Sequence, residues 1–310
     1  MATSLDASEA KVAEHKRPDR PTAMEHATPW LFVLPSVLLL LAVGLYPIGY
    51  TFVISFHNWT LGQAEPSFTA LSNYVEVLTD GAFLDAVSRT MLLLAITLPI
   101  QLALGLGIAL LLHTHFNKWL RTILQVVLVI PIAITPAVLG LLVQVMFDNQ
   151  FGIINHALAS IGIQGVNWLG DTTAAYTTVC IAQIWQWTPF AALVISASLA
   201  TVPSEIEEAA LLETSRWWPR FRRVLLPYLW PGITAVLVFQ TAFVIKQFGM
   251  VYSIQKGGPG SATQLVMLEI ERTAFRGFDI GAAAAQSILM LVLSILLAQT
   301  YIKLFYREAA

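Results

Sequence analysis

Six long apolar runs constrain the fold of this chain more than any other feature of its sequence. They cover about residues 31–56, 90–112, 122–147, 174–200, 231–254 and 281–305. A helix needs about 20 apolar residues to cross a hydrocarbon core about 30 Å thick, and each run is long enough. Charged residues make up only 12% of the chain, against about 25% in an average soluble domain. The sequence therefore predicts an all-α fold, a polytopic transmembrane helical bundle with six spans.

Lysines and arginines are distributed unevenly over the segments that connect the runs. When these segments are assigned to alternate sides of the membrane, most of the 17 positive residues fall on the side that holds both chain ends. Because positive residues concentrate in cytoplasmic loops, we expect both termini in the cytoplasm. Residues 1–28 are polar and predict a disordered cytoplasmic tail, followed by a transmembrane domain at 29–306. The segment 203–232, between the fourth and fifth spans, is expected on the cytoplasmic side as well.

This cytoplasmic segment contains the signals of a short helix. Ser204 and Glu207 have the spacing of a capping box, and acidic residues fill the first turn, where the helix dipole favours them. Arg216 stands near the other end, so the predicted helix covers 204–216. A helix of this length is only marginally stable alone in water. We therefore expect it to be held by contacts with other surfaces.

The apolar residues of this helix fall on two sides. At about 100° per residue, Ile206, Ala209 and Ala210 cluster on one side, and Leu211 and Leu212 lie roughly opposite. Two apolar faces predict two neighbours, the spans of the chain itself and a separate soluble protein. An interfacial helix that only connects two spans is the alternative interpretation.

Polar and aromatic residues inside the later spans are candidates for a substrate path. The set comprises Gln183, Trp185, Gln186 and Trp187 in the fourth span and Gln240, Lys246 and Gln247 in the fifth. Aromatic rings can stack on sugar rings, and amides can bind hydroxyl groups. Prolines such as Pro131 and Pro136 can kink the spans around a cavity. For the glutamines and tryptophans of this set, the alternative to a substrate path is that they hold helices together.

Lys246 is expected about two-thirds of the way through the fifth span. An ionisable residue at such a depth suggests a function, and a lysine facing the cavity would favour an anionic sugar. The alternative is that its ammonium group reaches the outer headgroups while its stem stays in the apolar region.

The 203–232 segment also resembles the EAA loop of permease subunits of binding-protein-dependent ABC importers. The residues that match are Glu208-Ala209-Ala210, Phe221, Val224, Leu226-Pro227 and Pro231. Further motifs are similar to the carbohydrate branch of that family, namely Tyr46-Pro47, Asn73-Tyr74, Trp187-Thr188-Pro189-Phe190, Gly257-Gly258-Pro259 and Ala274-Phe275. The resemblance covers roughly residues 30–305. One departure is Glu213-Thr214-Ser215, which stands where the family has Asp-Gly-Ala.

The resemblance implies a type I ABC importer permease in a bacterial inner membrane. It implies that the 204–216 helix docks on a dimeric ATPase subunit, with a second homologous permease completing the pathway and an external binding protein delivering the sugar. The coupling positions so implied are Glu207, Glu208, Ala209, Ala210, Leu211, Glu213 and Thr214. ATP and Mg²⁺ are then expected in the partner ATPase and no cofactor in this chain, which lacks a Walker phosphate-binding motif.

Other classes of function remain open at the level of the sequence. A self-contained secondary transporter or channel for a small polar solute would be expected to carry carboxylates within its spans, and the acidic residues here fall in or beside the links. A membrane enzyme is a third class, but no catalytic constellation is visible. The single cysteine, Cys180, excludes an intrachain disulfide. Neither a metal site nor a nucleic-acid partner is predicted.

Overall fold

The computed structural model describes residues 23–63, 65–114 and 116–305. The part of the predicted tail that covers residues 1–22 lies outside this range. The chain divides into two compact units, which meet between Tyr50 and Thr51. Each unit is described by itself.

The first unit is helical throughout its described residues. Helix α1 (Ala23–Leu40) begins before the predicted domain boundary at residue 29 and continues through a π-helical turn at Leu41–Leu45 into α2 (Tyr46–Ile54). Residues Phe32–Ile54 are long and apolar enough to cross a membrane, in agreement with the first predicted span.

The second unit begins with the last residues of α2, from Thr51 onward, and continues with a short hairpin and a long helix. Strands β1 (His57–Asn58) and β2 (Ser67–Phe68) pair antiparallel, and α3 (Ser72–Thr79) follows them. Asn73 of α3 connects this helix to the hairpin, because its side-chain amide donates to the backbone carbonyls of Ser55 and His57, each at 2.9 Å. Helix α4 (Gly81–Thr114) then contains the second span and starts well before the predicted residue 90.

The third apolar run is two helices rather than one. Helix α5 (Lys118–Ala133) and helix α6 (Pro136–Met146) meet at an angle of 89°. The cause is Pro136, because a residue before proline is pushed out of the helical region, and Thr135 has an extended ψ of 143°. The span predicted at 122–147 is therefore broken at Pro136, one of the two prolines expected to kink it, and the pair of helices together can count as one span.

The fourth apolar run is a single helix close to its predicted bounds. A short helix, α7 (Ile153–Ser160), precedes it, and α8 (Thr172–Leu199) forms the span. The Asp171 side chain caps α8 by accepting hydrogen bonds from the backbone N–H groups of Thr173 and Ala174.

The fifth span is displaced from the predicted 231–254. Helix α9 (Ser204–Glu213) is followed by α10 (Trp217–Arg220), a π-helical turn at Phe221–Leu225 and α11 (Leu226–Ile245). The chain then breaks and forms α12 (Gly249–Gln255), which packs closely on α6. A Cβ atom at Gly140 would lie 2.4 Å from the Met250 carbonyl oxygen. Helix α11 thus ends at Ile245, and the last part of the predicted run forms a separate helix packed on α6.

The C-terminal part of the described chain contains α13 (Val266–Glu271), a π-helical turn at Arg272–Arg276 and α14 (Ile280–Phe305). Fully buried side chains from the centre of the second unit, among them Leu93, Ile195 and Leu229, come from α4, α8 and α11. Over the described residues, five helices can cross a membrane, and six spans result if α5 and α6 form one. The predicted all-α polytopic fold is confirmed.

Candidate coupling and substrate-path sites

Helix α9 carries the predicted coupling residues, and its ends differ from the prediction. Pro203 is the N-cap residue and no side chain caps this end. Ser204 is therefore the first helical residue, and the predicted capping box with Glu207 does not form. The helix ends at Glu213 rather than at residue 216, because Thr214 adopts an extended conformation with φ −154° and ψ 131°.

The inward face of α9 is defined by Glu207 and Ala210. Ala210 is buried and Glu207 is half-buried. Their spacing of three residues places them on one side of the helix, and Thr214, which follows the helix, is half-buried as well. The carboxylate of Glu207 accepts a hydrogen bond of 2.8 Å from Nε2 of His113 in the last turn of α4. Of the predicted apolar cluster of Ile206, Ala209 and Ala210, only Ala210 is buried.

The outward face of α9 presents Glu208, Ala209, Leu212 and Glu213, whereas Leu211 lies one turn after Glu207 and lines the cleft beside the helix. Glu208, Ala209, Leu211 and Glu213 are all exposed. Leu212 is the most exposed large apolar residue of the helix, at 91%, and it was absent from the predicted coupling set. A large apolar side chain left this exposed on a helix between two spans is available to a partner protein.

A cleft of about 300 Å³ lies beside α9. The residues that line it are His113, Glu207, Leu211, Trp217, Arg220, Val224 and Leu225. Trp217 is fixed by stacking on Phe221, with ring centroids 5.0 Å apart and planes 7° from parallel. Arg220 brings a positive charge to the wall of the same cleft that holds the Glu207 carboxylate.

The four predicted glutamines of the substrate path are buried inside the helix packing. The exposed fraction is 1% for Gln183, Gln186 and Gln240 and 5% for Gln247. Gln247 donates to the Gln183 side chain at 2.8 Å, Gln186 donates to the Ile134 carbonyl at 2.9 Å, and Gln240 donates to the Trp187 carbonyl at 3.0 Å. Within the described structure, these amides connect α8 to α11, to the residues that follow α11 and to the break between α5 and α6.

The aromatic residues form a stripe on α8 and α11 that is half-buried except at Phe239. Trp187 stacks on Phe243, with ring centroids 4.1 Å apart, and Phe190 contacts Phe239 and Phe243 edge-on at 6.0 and 5.9 Å. Phe239 is 54% exposed. We call these four residues the aromatic stripe. Phe190, Phe239 and Phe243 were absent from the predicted path, although Phe190 belongs to the motif that begins at Trp187 and helical spacing could have indicated the other two.

Lys246 continues this stripe at the end of α11. It is exposed and is the C-cap residue of α11, so it lies at the end of this helix and not within it. Residues 239, 243 and 246 are separated by four and three positions, which places them on one face of a helix. Trp185 lies elsewhere, half-exposed in an apolar groove beside Pro131 and Pro189.

These features define a polytopic helical membrane protein with an exposed helix between its fourth and fifth spans. Residues 101–308 match the family described as the binding-protein-dependent transport system inner membrane component. The match covers more than half of the chain, and the chain belongs to this family.

Two relatives share 30% identity with the chain over most of their length. The sulfoquinovosyl glycerol transport system permease protein SmoG of Agrobacterium fabrum aligns over 276 residues, 88% of this chain and 89% of the relative. The trehalose/maltose transport system permease protein MalF of Thermococcus litoralis aligns over 277 residues, 88% of this chain and 92% of the relative.

A similar fold occurs in the crystal structure of a bacterial ABC transporter involved in the import of the acidic polysaccharide alginate. The TM-score is 0.77 at 19% sequence identity, and the match covers 93% of this chain and 98% of the other. The architecture is that of a type I ABC importer permease.

Proposed function

We propose that this chain is the permease subunit of an ATP-driven importer for a sugar or sugar derivative, and that α9 is the helix through which a partner ATPase drives it. The observation that carries this proposal is the exposure of Glu208, Ala209 and Leu212 on α9. This helix lies between two spans of a chain that belongs to a binding-protein-dependent transport family.

The partners follow from the same proposal. A dimeric ATPase docks on the outward face of α9 and binds ATP and Mg²⁺, so that hydrolysis belongs to the partner rather than to this chain. A second homologous permease completes the pathway, and an external binding protein delivers the sugar. We propose that both termini lie in the cytoplasm, because positive charges are concentrated near them.

The substrate class is supported by the two relatives, which are permeases for a sulfoquinovosyl glycerol and for trehalose or maltose. On this chain, the aromatic stripe offers ring faces on which a sugar can stack. Four of the seven predicted path residues are buried glutamines that hold helices together. We therefore assign direct contact with the sugar to Trp187 and Lys246, and a supporting role to the glutamines.

Lys246 favours an anionic sugar. Its side chain is exposed, and none of the ion pairs among the described residues includes it. An ammonium group at the end of a stripe of aromatic rings can pair with a carboxylate, phosphate or sulfonate on a sugar that stacks on the rings. A neutral sugar would gain less from this arrangement.

Purification of the intact assembly tests the proposed function. The tagged chain, purified from its native membrane in mild detergent, is expected to bring down a stoichiometric protein that carries a Walker motif and hydrolyses ATP. Glu208→Lys should remove that protein, because it reverses a charge on the docking face. Glu76→Lys makes the same change in α3, away from α9, and should retain it. A chain that transports solute when reconstituted alone would instead support a secondary transporter.

A further inference from the structure

A single histidine connects the second span to the coupling helix. His113 lies in the last turn of α4, and its Nε2 donates to Oε1 of Glu207 at 2.8 Å. The side chains are 20% and 32% exposed, so water screens this contact only in part. The other ring nitrogen, Nδ1, is buried and has no hydrogen-bond partner in the described structure. The hydrogen bonding of the ring is therefore directed at Glu207.

Helix α9 has few apolar contacts that could hold it in place. Ala210 is its only buried residue, and an alanine covers little surface. Glu207 occupies a position on the inward face where an apolar residue would be expected if packing alone fixed the helix. The position of α9 relative to α4 therefore depends strongly on the polar contact with His113.

The contact lies at the edge of the cleft that separates α9 from the start of the fifth span. Arg220 lines the same cleft as Glu207, so a second cation is present across the open space. The cleft volume of about 300 Å³ leaves room for α9 to move relative to Trp217 and Arg220. A movement of this kind would carry α4 with it as long as the bond to His113 holds.

Helix α4 in turn is connected by buried amides to the opposite part of the bundle. Gln101 of α4 donates to the backbone carbonyl of Gln183 in α8 at 2.9 Å. The side chain of Gln183 accepts from Gln247 at 2.8 Å, directly after Lys246. A continuous set of contacts thus leads from Glu207 through α4 to the end of the aromatic stripe.

We propose that His113 is a positioning residue that transmits the movement of the coupling helix to α4 through Glu207. This inference rests on the proposed function, because it requires an ATPase that moves α9. In this arrangement, the ATPase reaches the fifth span through the covalent chain and the second span through the His113–Glu207 bond. Both spans then respond to the same event.

The test is the number of sugar molecules transported per ATP hydrolysed, measured in proteoliposomes that contain the complete transporter and its binding protein. His113→Ala and Glu207→Ala each remove the bond. We expect the ratio to fall about fivefold or more, the range of a typical coupling between two sites, while the ATPase still co-purifies and hydrolyses ATP. The double variant should be no worse than either single variant, because both remove the same contact.

Conservative variants separate transmission from a general structural role. His113→Gln keeps a donor and Glu207→Gln keeps an acceptor, so each should restore much of the ratio. His156→Ala serves as the matched control, because His156 bonds only within its own helix, to the Gly152 carbonyl at 3.0 Å. This control should leave the ratio unchanged.

Two outcomes would overturn the inference. One is an unchanged ratio in both alanine variants. The other is loss of the ATPase from these variants, which would make the bond a requirement for docking instead of transmission. If an alanine variant fails to fold, the two glutamine variants still test the inference. Their ratios of sugar transported to ATP hydrolysed should lie within twofold of each other. Failure of the proposed function itself would look different, since no ATPase would accompany the unmodified chain.

Discussion

The side-chain amide of Gln247 donates to the side-chain oxygen of Gln183 at 2.8 Å, and both residues are buried. This bond joins the break after α11 to the middle of α8. Gln101 donates to the backbone carbonyl of the same Gln183, so three parts of the bundle meet at one residue. The position of Lys246, which precedes Gln247, is fixed by this arrangement.

Removal of this bond should destabilise the bundle. Gln247→Leu leaves the Gln183 oxygen buried without its donor, and hydrogen bonds between membrane helices contribute about 0.6 kcal/mol on average and up to about 1.7. We expect Gln247→Leu and Gln183→Leu each to lower the stability by about this amount. The double variant should lose less than the sum. Thermal unfolding in lipid nanodiscs measures the three values, and strict additivity would contradict the direct contact.

Gly140 should tolerate no side chain. A Cβ atom there would meet the Met250 carbonyl oxygen at 2.4 Å and the Ser253 Cβ at 2.7 Å. Gly140→Ala must therefore push α12 away from α6, and overpacking of this kind costs about 1 to 3 kcal/mol. Gly107→Ala is the matched control, because nothing lies within 4 Å of its Cβ position. Thermal unfolding should show a loss for Gly140→Ala and an equal or higher stability for Gly107→Ala.

Leu212 should matter for the partner and not for the fold. Its side chain is 91% exposed, so Leu212→Ala should change the stability of the chain by less than about 0.5 kcal/mol. A central apolar contact in a protein interface contributes about 2 kcal/mol, and its loss should weaken ATPase binding more than tenfold. Leu61→Ala in the hairpin region makes the same change on an exposed leucine far from α9. An affinity that stays the same in a pull-down titration of Leu212→Ala would contradict the docking face.

Lys246 should discriminate between charged and neutral sugars. A hydrogen bond to a charged group contributes about 1.5 to 3 kcal/mol, which corresponds to a tenfold or larger effect. Lys246→Gln should reduce uptake of an anionic probe such as sulfoquinovosyl glycerol by this factor and leave uptake of trehalose nearly unchanged. Lys256→Gln is the control, since Lys256 lies over the Tyr252 ring at 5.9 Å, away from the aromatic stripe. If the ratio of anionic to neutral sugar uptake is the same in the unmodified protein, Lys246→Gln and Lys256→Gln, the proposed role of Lys246 is contradicted.

The family and the number of apolar runs could be predicted from the sequence, but several helix bounds could not. Pro136 predicted a kink in the third span. The angle of 89° between α5 and α6, however, depends on the neighbours against which each of the two helices packs. Helix α11 ends at Ile245, and Met250 in the following helix packs on Gly140, which is far away in the chain. No local pattern at 246–248 indicates that break.

The residues of the candidate sites also differ in whether the sequence alone could predict their position. The exposed residues Glu208 and Ala209 could be assigned from a local motif. The inward direction of Glu207 depends on His113, which lies 94 residues earlier. The glutamines illustrate the point again, because an amide in an apolar span can line a path or join two helices, and only its neighbours decide.

The sequence by itself determined that this protein crosses a membrane and carries a polar helix between its fourth and fifth spans. Hydropathy and helix propensity are local properties, and they are read over a few turns of chain. Only the tertiary structure decided which polar groups meet. A buried amide or carboxylate must find a partner wherever the packing places one, and the distance along the chain does not limit that choice.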